Sequence, residues 1–234
     1  MNETSKLRLF IDTTDITIWQ RVLPMGLFYG ITTNPSILYK ENVPCTMQNL
    51  AMLAENAFKL NAQEIHLQVW GEDSDSMLAV GREIAAIDPR VSIKVPMTEP
   101  GILCARNLVE AGHKVTLTAV HDANQVLMAI AMGATYAAPY LGRMNDAGLN
   151  GLDELLAMQQ MITHMNSPLR LLSASIRQLS DLSTLARNGV DTFTLLPTLV
   201  GQLLENPLTE RAATDFEEKA KASLAEKQTT SQKF

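Results

Sequence analysis

Eight times along this chain a short run of β-forming residues gives way to a longer stretch with helical periodicity. No other feature limits the fold as much. The β-rich runs are LRLFID (7–12), YGITTN (29–34), EIHLQVW (64–70), VSIKVP (91–96), KVTLTAV (114–120), TYAAPYL (135–141), LRLLSAS (169–175) and VDTFTLL (190–196). Segments such as NLAMLAENAFKL and ELLAMQQMITHM carry the 3.6-residue apolar repeat between them. Pro44, Gly112, Gly133, Pro168 and Gly189 mark turns near strand entries. Eight such units in about 200 residues predict an α/β fold, a single (β/α)8 barrel, because doubly wound sheets seldom need so many regular repeats. The barrel is expected over residues 1–205. An additional C-terminal helix and tail, 206–234, is read as part of the same domain.

That last segment places Leu208, Ala212, Phe216, Ala220 and Leu224 on a narrow apolar stripe. The stripe suits packing on its own barrel or docking on a neighbouring subunit. QTTSQKF, from 228 onward, reads as a frayed tail.

With 46% hydrophobic and 19% charged residues, the 234-residue chain has the make-up of a soluble globular protein. Its net charge of −6 and lack of basic clusters argue against a nucleic-acid partner. No stretch has signal-peptide or membrane-span character, so a cytoplasmic location and no membrane partner are expected. Cys45 and Cys104 stand apart, and the four histidines form no ligand pattern. A metal site is not expected.

Alternation within the strands assigns side chains to the lumen. Taking apolar positions as helix-facing turns Asp12, Thr32, Asn34, His66, Gln68, Ser92, Lys94, Thr116, Thr118, Tyr136, Ala138, Tyr140, Ser173, Ser175, Thr192 and Thr194 inward. Leu172 and Ala174 are then expected to face outward. Asp12, Asn34, Gln68, Lys94, Thr118, Tyr140 and Ser175 lie toward the carboxyl ends of their strands, where barrels of this kind carry their chemistry. Arg143 and Arg177 follow at the rim. Taken singly, the hydroxyls read as satisfied core groups and the arginines as loop charges, while Asp12 could cap the helix that starts near Thr14.

Lys94 resists so plain a reading. It sits mid-strand in VSIKVPMT between apolar neighbours, and a buried ammonium is rarely kept for structure alone. A neutral lysine amine attacks carbonyl carbon, and burial is one way proteins free it from its ordinary pKa of about 10.4. The resulting imine draws electrons from an adjacent C–C bond. Asp12 can move protons during imine formation, Tyr140 and Gln68 can handle the proton of the reacting hydroxyl, and Asn34 can bind a substrate hydroxyl. Arg143, Arg177 and Ser175 together suit a phosphate.

Those residues carry a resemblance. LFIDTTD (9–15), GITTNPSIL (30–38), IKVPMT (93–98), TLTAV (116–120), APYLGR (138–143) and SASIR (173–177) resemble, over nearly the whole chain, the small transaldolases and fructose-6-phosphate aldolases. The resemblance implies a cofactor-free and metal-free enzyme with Lys94 as Schiff-base residue and Asp12 as proton-transfer partner. It implies dihydroxyacetone contacts at Asn34 and Thr32, and phosphate contacts at Arg143, Ser175 and Arg177. A homo-oligomer, pentamer or decamer, is also implied, with the C-terminal helix reaching a neighbour.

Gln68 with Tyr140 looks like the aldolase branch, whereas LGRMND and SIR look closer to the transaldolase branch. Residues that touch the proton outrank those that touch the phosphate. The expected function is therefore aldolase-like cleavage or transfer of a dihydroxyacetone unit on sugar phosphates, with transaldolase as the alternative. A barrel that binds sugar phosphates without turnover, or one in which Lys94 merely pairs with Asp12, would be of another class. His121, where the aldolases tend to have tyrosine, is read as a rim residue without a chemical role, and Trp70 as a residue that narrows the pocket.

Overall fold

A computed structural model describes residues 6–231. Eight strands form a closed, all-parallel barrel in chain order: β1 Arg8–Asp12, β2 Gly30–Thr32, β3 Glu64–Gln68, β4 Val91–Pro96, β5 Val115–Val120, β6 Tyr136–Pro139, β7 Arg170–Ser173 and β8 Thr192–Leu195. The intervening helices are α1 Ile16–Val22, α2 Pro35–Lys40, α3 Met47–Lys59, α4 Ser74–Ala85, α5 Glu99–Glu110, α6 Ala123–Met132, α7 Leu141–Asp146, α8 Gly151–His164 and α9 Leu179–Arg187. The chain is thus a (β/α)8 barrel. It divides into two compact units, Met1–Pro197 and Thr198–Phe234.

The second unit comprises most of α10 (Pro197–Leu204) and all of α11 (Pro207–Ser231). Its backbone stays helical through Ser231, where a frayed tail was expected from 228. Residues 232–234 lie outside the described residues. The stripe leaves Leu208 74%, Phe216 68% and Leu224 64% exposed.

Outward-facing Ile11, Ile31, Ile65, Leu67, Ile93, Val95, Leu117, Phe193 and Leu195 are buried in the helical layer, as the alternation requires. Inside, Phe10, Tyr136, Ala138 and Leu172 cluster in the lumen. Strand seven therefore departs from the expected phase. Leu172 faces in, while Ser173 pairs in register with outward Phe193 and its buried Oγ finds no partner among the described residues. Leu171 and Leu172 are adjacent, so hydrophobicity could not tell which of the two faced the helices.

Packed against the Phe10 and Tyr136 rings is a buried polar chain. His66 donates from Nε2 to Glu64 Oε1 at 2.9 Å, and its Nδ1 lies 3.0 Å from the Thr116 hydroxyl, itself 2.8 Å from Ser92 Oγ. A neutral imidazole meets both contacts, and burial pushes the His66 pKa below its ordinary value. Burial alone would lift the Glu64 carboxyl. The His66 N–H and the Lys114 ammonium at 3.0 Å overcome it and hold Glu64 at about 2. Arg8 lies over the Tyr29 ring and bonds the Tyr136 hydroxyl. Gly30 admits this packing, since a Cβ there would stand 1.9 Å from the Glu64 carbonyl oxygen.

Candidate active site

Above that plug, at the carboxyl ends of the strands, opens a cavity of about 550 Å³, a size suited to a small metabolite. Asp12, Asn34, Gln68, Lys94, Tyr140, Arg143 and Ser175 line it. Thr32 and Thr118 stand one step behind. Thr32 donates to Asp12 Oδ1 at 2.6 Å and, having spent its hydrogen, accepts from Thr194 at 2.5 Å. Thr118 Oγ1 lies 2.8 Å from the Tyr140 hydroxyl.

Lys94 is 3% exposed and donates to the Thr33 carbonyl at 2.9 Å. None of the ion pairs among the described residues includes it. Gln68 and Tyr136 share its inward face through the β3–β4–β5–β6 register. Desolvation lifts the Asp12 carboxyl above the ordinary carboxylate range, against the pull of the Lys94 charge and the Thr32 hydroxyl. Asp12 is not the cap of α1. Asp15 does that, accepting from the Thr17 N–H.

Asn34 has a double role written into its amide. Its Oδ1 caps α2 by accepting from the Ile37 N–H at 3.0 Å, which leaves the amide hydrogens for another acceptor. Gln68 is the converse: its Oε1 is buried without a donor among the described residues, and such a group calls for one.

Ser175 reaches the cavity by a route that strand parity does not describe. Its backbone is left-handed at φ +58, beyond the end of β7. Gly142 then packs against it, donating to the Ser175 carbonyl at 2.9 Å, and a Cβ on Gly142 would meet that oxygen at 2.6 Å. Glycine here sets Arg143 beside Ser175. Arg177 is turned elsewhere. Its guanidinium holds Asp146 at 2.7 and 2.5 Å, and it does not line the cavity. Trp70 is not among the lining residues either.

Sequence reasoning passed over Ser36, Lys40, Ala119 and Leu196, which also line the cavity. Ser36 lies within the TTNPS run, and Lys40 sits one helical turn further, an i,i+4 spacing that could have found it. Ala119 carried no such signal. A bulge between Thr118 and Val120 puts it at φ +59 and turns it inward.

A barrel with an inward strand-four lysine beside a strand-one carboxylate now meets the comparison with known proteins. The sequence pattern described as Transaldolase/Fructose-6-phosphate aldolase matches residues 9–234. The chain belongs to this family. A probable transaldolase of Oceanobacillus iheyensis is 32% identical over 90% of this chain and 96% of the relative. One from Phenylobacterium zucineum is 31% identical over 90% and 94%, and one from Ruegeria sp. is 29% identical over 90% and 94%. Among solved structures, thiamine phosphate pyrophosphorylase from Pyrococcus furiosus superposes with a TM-score of 0.58 at 13% identity, covering 83% of this chain and 88% of that one. That likeness speaks for the barrel alone. The chain is an enzyme of the aldolase/transaldolase kind. No helix among the described residues is long and apolar enough to cross a membrane.

Proposed function

We propose that this family member works through a Schiff base on Lys94 and breaks or forms the C–C bond of ketose phosphates, in the manner of a fructose-6-phosphate aldolase. The observation that carries the reading is the Lys94 amine, buried at the cavity and bonded to a backbone carbonyl rather than to an acid. Its free amine adds to the ketose carbonyl, and loss of water gives the imine. Asp12, with its raised carboxyl, passes the protons of these steps.

Cleavage removes a proton from the C4 hydroxyl while the C3–C4 electrons flow into the iminium, releasing an aldehyde and leaving an enamine on Lys94. Tyr140 with Gln68 Oε1 serves that hydroxyl. The Asn34 amide donates to a hydroxyl of the dihydroxyacetone half, with Thr32 acting through Asp12. The enamine is then protonated and hydrolysed to dihydroxyacetone, or attacks a second aldehyde. No metal or cofactor takes part in this scheme.

Transaldolase action is the second reading, favoured by the names of the relatives. Incubation with fructose 6-phosphate, with and without erythrose 4-phosphate, separates the two. Free dihydroxyacetone without acceptor is the expected product. Sedoheptulose 7-phosphate formed only with acceptor present would replace that reading with transaldolase.

Arg143 and Ser175 are proposed to seat the phosphate, with Arg177 a candidate third contact once it leaves Asp146. Removing a charge-assisted contact to an anion raises KM about tenfold to a hundredfold. Arg143→Ala is expected to do so for fructose 6-phosphate while leaving capture of unphosphorylated dihydroxyacetone intact. Arg177→Ala is expected to change KM less, by about threefold, because that arginine first gives up an existing pair. Steady-state kinetics on both variants check the order.

The exposed stripe of α11 is proposed to dock on a second copy of the chain, in a homo-oligomer of the pentamer or decamer kind. Leu208→Glu with Phe216→Glu is expected to shift the mass measured by light scattering toward the monomer. An unchanged mass would remove the stripe from the interface. A cytoplasmic setting accords with this chemistry on soluble sugar phosphates.

A further inference from the structure

His121 and Lys40 are the titratable groups lining the cavity that the scheme above leaves without work, and of the two His121 follows directly on a barrel strand. Its surroundings are specific. The bulge that puts Ala119 into the left-handed region at φ +59 turns the Ala119 carbonyl toward the imidazole, 2.9 Å from Nδ1. A carbonyl only accepts, so Nδ1 carries the hydrogen, and Nε2 of the neutral ring is left as a lone pair. Nε2 makes no hydrogen bond among the described residues and is not buried. The ring stands edge-on to Tyr140, centroids 5.6 Å apart at 80°.

None of this serves α6. Its entry is closed by Asp122 and by Gln125 Oε1, which accepts from the backbone N–H groups of His121 and Asp122. The imidazole is therefore held in one orientation by a strained residue without a folding task to explain it.

Position around the barrel says what it meets. Lys94 belongs to β4, whereas Tyr140 and Arg143 follow β6 and Ser175 follows β7. A chain running from the imine at Lys94 to a phosphate at Arg143 passes the end of β5, where His121 sits. We infer that His121 is a specificity-determining residue whose Nε2 accepts a hydrogen bond from a hydroxyl on the aldehyde half of the substrate, between the reacting carbon and the phosphate. The inference rests on the Schiff-base reading above. What it adds to that reading is a partner for this hydroxyl at the end of β5.

A pair of acceptors tests it, with dihydroxyacetone supplied as donor. D-Glyceraldehyde 3-phosphate carries the hydroxyl, and 3-phosphooxypropanal lacks it. A site built to bind a hydroxyl favours the substrate that has one, so the wild type is expected to prefer glyceraldehyde 3-phosphate by about tenfold or more in kcat/KM. His121→Phe is expected to bring that preference to within about twofold, mainly through the KM of the hydroxylated acceptor, and His121→Gln to restore part of it. Borohydride capture of dihydroxyacetone on Lys94 is run on every variant. Undiminished capture with lost discrimination supports the inference. Undiminished capture with wild-type discrimination in His121→Phe overturns it, as does a wild type that fails to discriminate. Loss of capture in His121→Phe alone also overturns it, since the ring would then be supporting the Lys94 site instead. Absence of capture in the wild type sinks the Schiff-base reading itself, and is recognised separately.

Discussion

Replacing Lys94 with methionine is expected to abolish borohydride capture of fructose 6-phosphate or dihydroxyacetone and to lower kcat/KM by about a thousandfold or more, because the covalent route loses its nucleophile. The barrel should survive. Lys94 contributes one hydrogen bond, to the Thr33 carbonyl, and sits among apolar outward neighbours in β4. Exchanging a buried lysine for an apolar side chain of similar length typically leaves stability within about 1–2 kcal/mol, sometimes improved. Mass spectrometry of the reduced adduct and urea unfolding of the same sample test both halves. A mass increment that persists in Lys94→Met would move the chemistry to another amine. The best placed is Lys40, the other lysine lining the cavity.

The second large effect lies below the site. Glu64→Ala strips the acceptor from a fully buried histidine and the counter-charge from Lys114. Leaving the buried His66 N–H without an acceptor costs about 1–3 kcal/mol, and the cavity left by the lost side chain adds to it. The acid limb of stability should change as well. In the folded protein Glu64 ionises at about 2, below its ordinary 4.5, so its contribution is present above 4.5 and fades as the pH falls toward 2. The gap between wild type and Glu64→Ala is therefore expected to be widest near neutrality and to narrow through that window. Unfolding midpoints measured across it report the trend directly. A gap that stays constant with pH would mean that shape, rather than charge, is what Glu64 supplies.

Much of the site was visible as spacing. Inward parity on strands one, three, four and six sends Asp12, Gln68, Lys94 and Tyr140 to one side of the sheet, and the closed register brings them round a single cavity. Strands three and four alternate most cleanly, polar in and apolar out, and a two-residue period leaves no ambiguity where one face is apolar. Strand seven offers no such contrast. Leu171 and Leu172 are equally apolar, and its phase was settled by packing Leu172 against Phe10, Tyr136 and Ala138. Ser175 nevertheless reached the cavity, since a left-handed residue after the strand overrides parity. On strand five the bulge brought in Ala119 and oriented His121, and a local sequence of TLTAVH contains nothing that announces a bulge.

The amino-acid sequence by itself determined the eightfold strand–helix count, the family, and the lysine around which the chemistry is proposed, because periodicity and short motifs are properties of neighbours along the chain. Tertiary structure alone decided that Asn34 turns its amide oxygen into α2, that Arg177 is held by Asp146, and that His121 has one nitrogen spoken for and one free. Each of these depends on a hydrogen-bonding group that has more than one possible partner. Which partner wins is settled by three-dimensional proximity and by the cost of leaving a polar group unmatched.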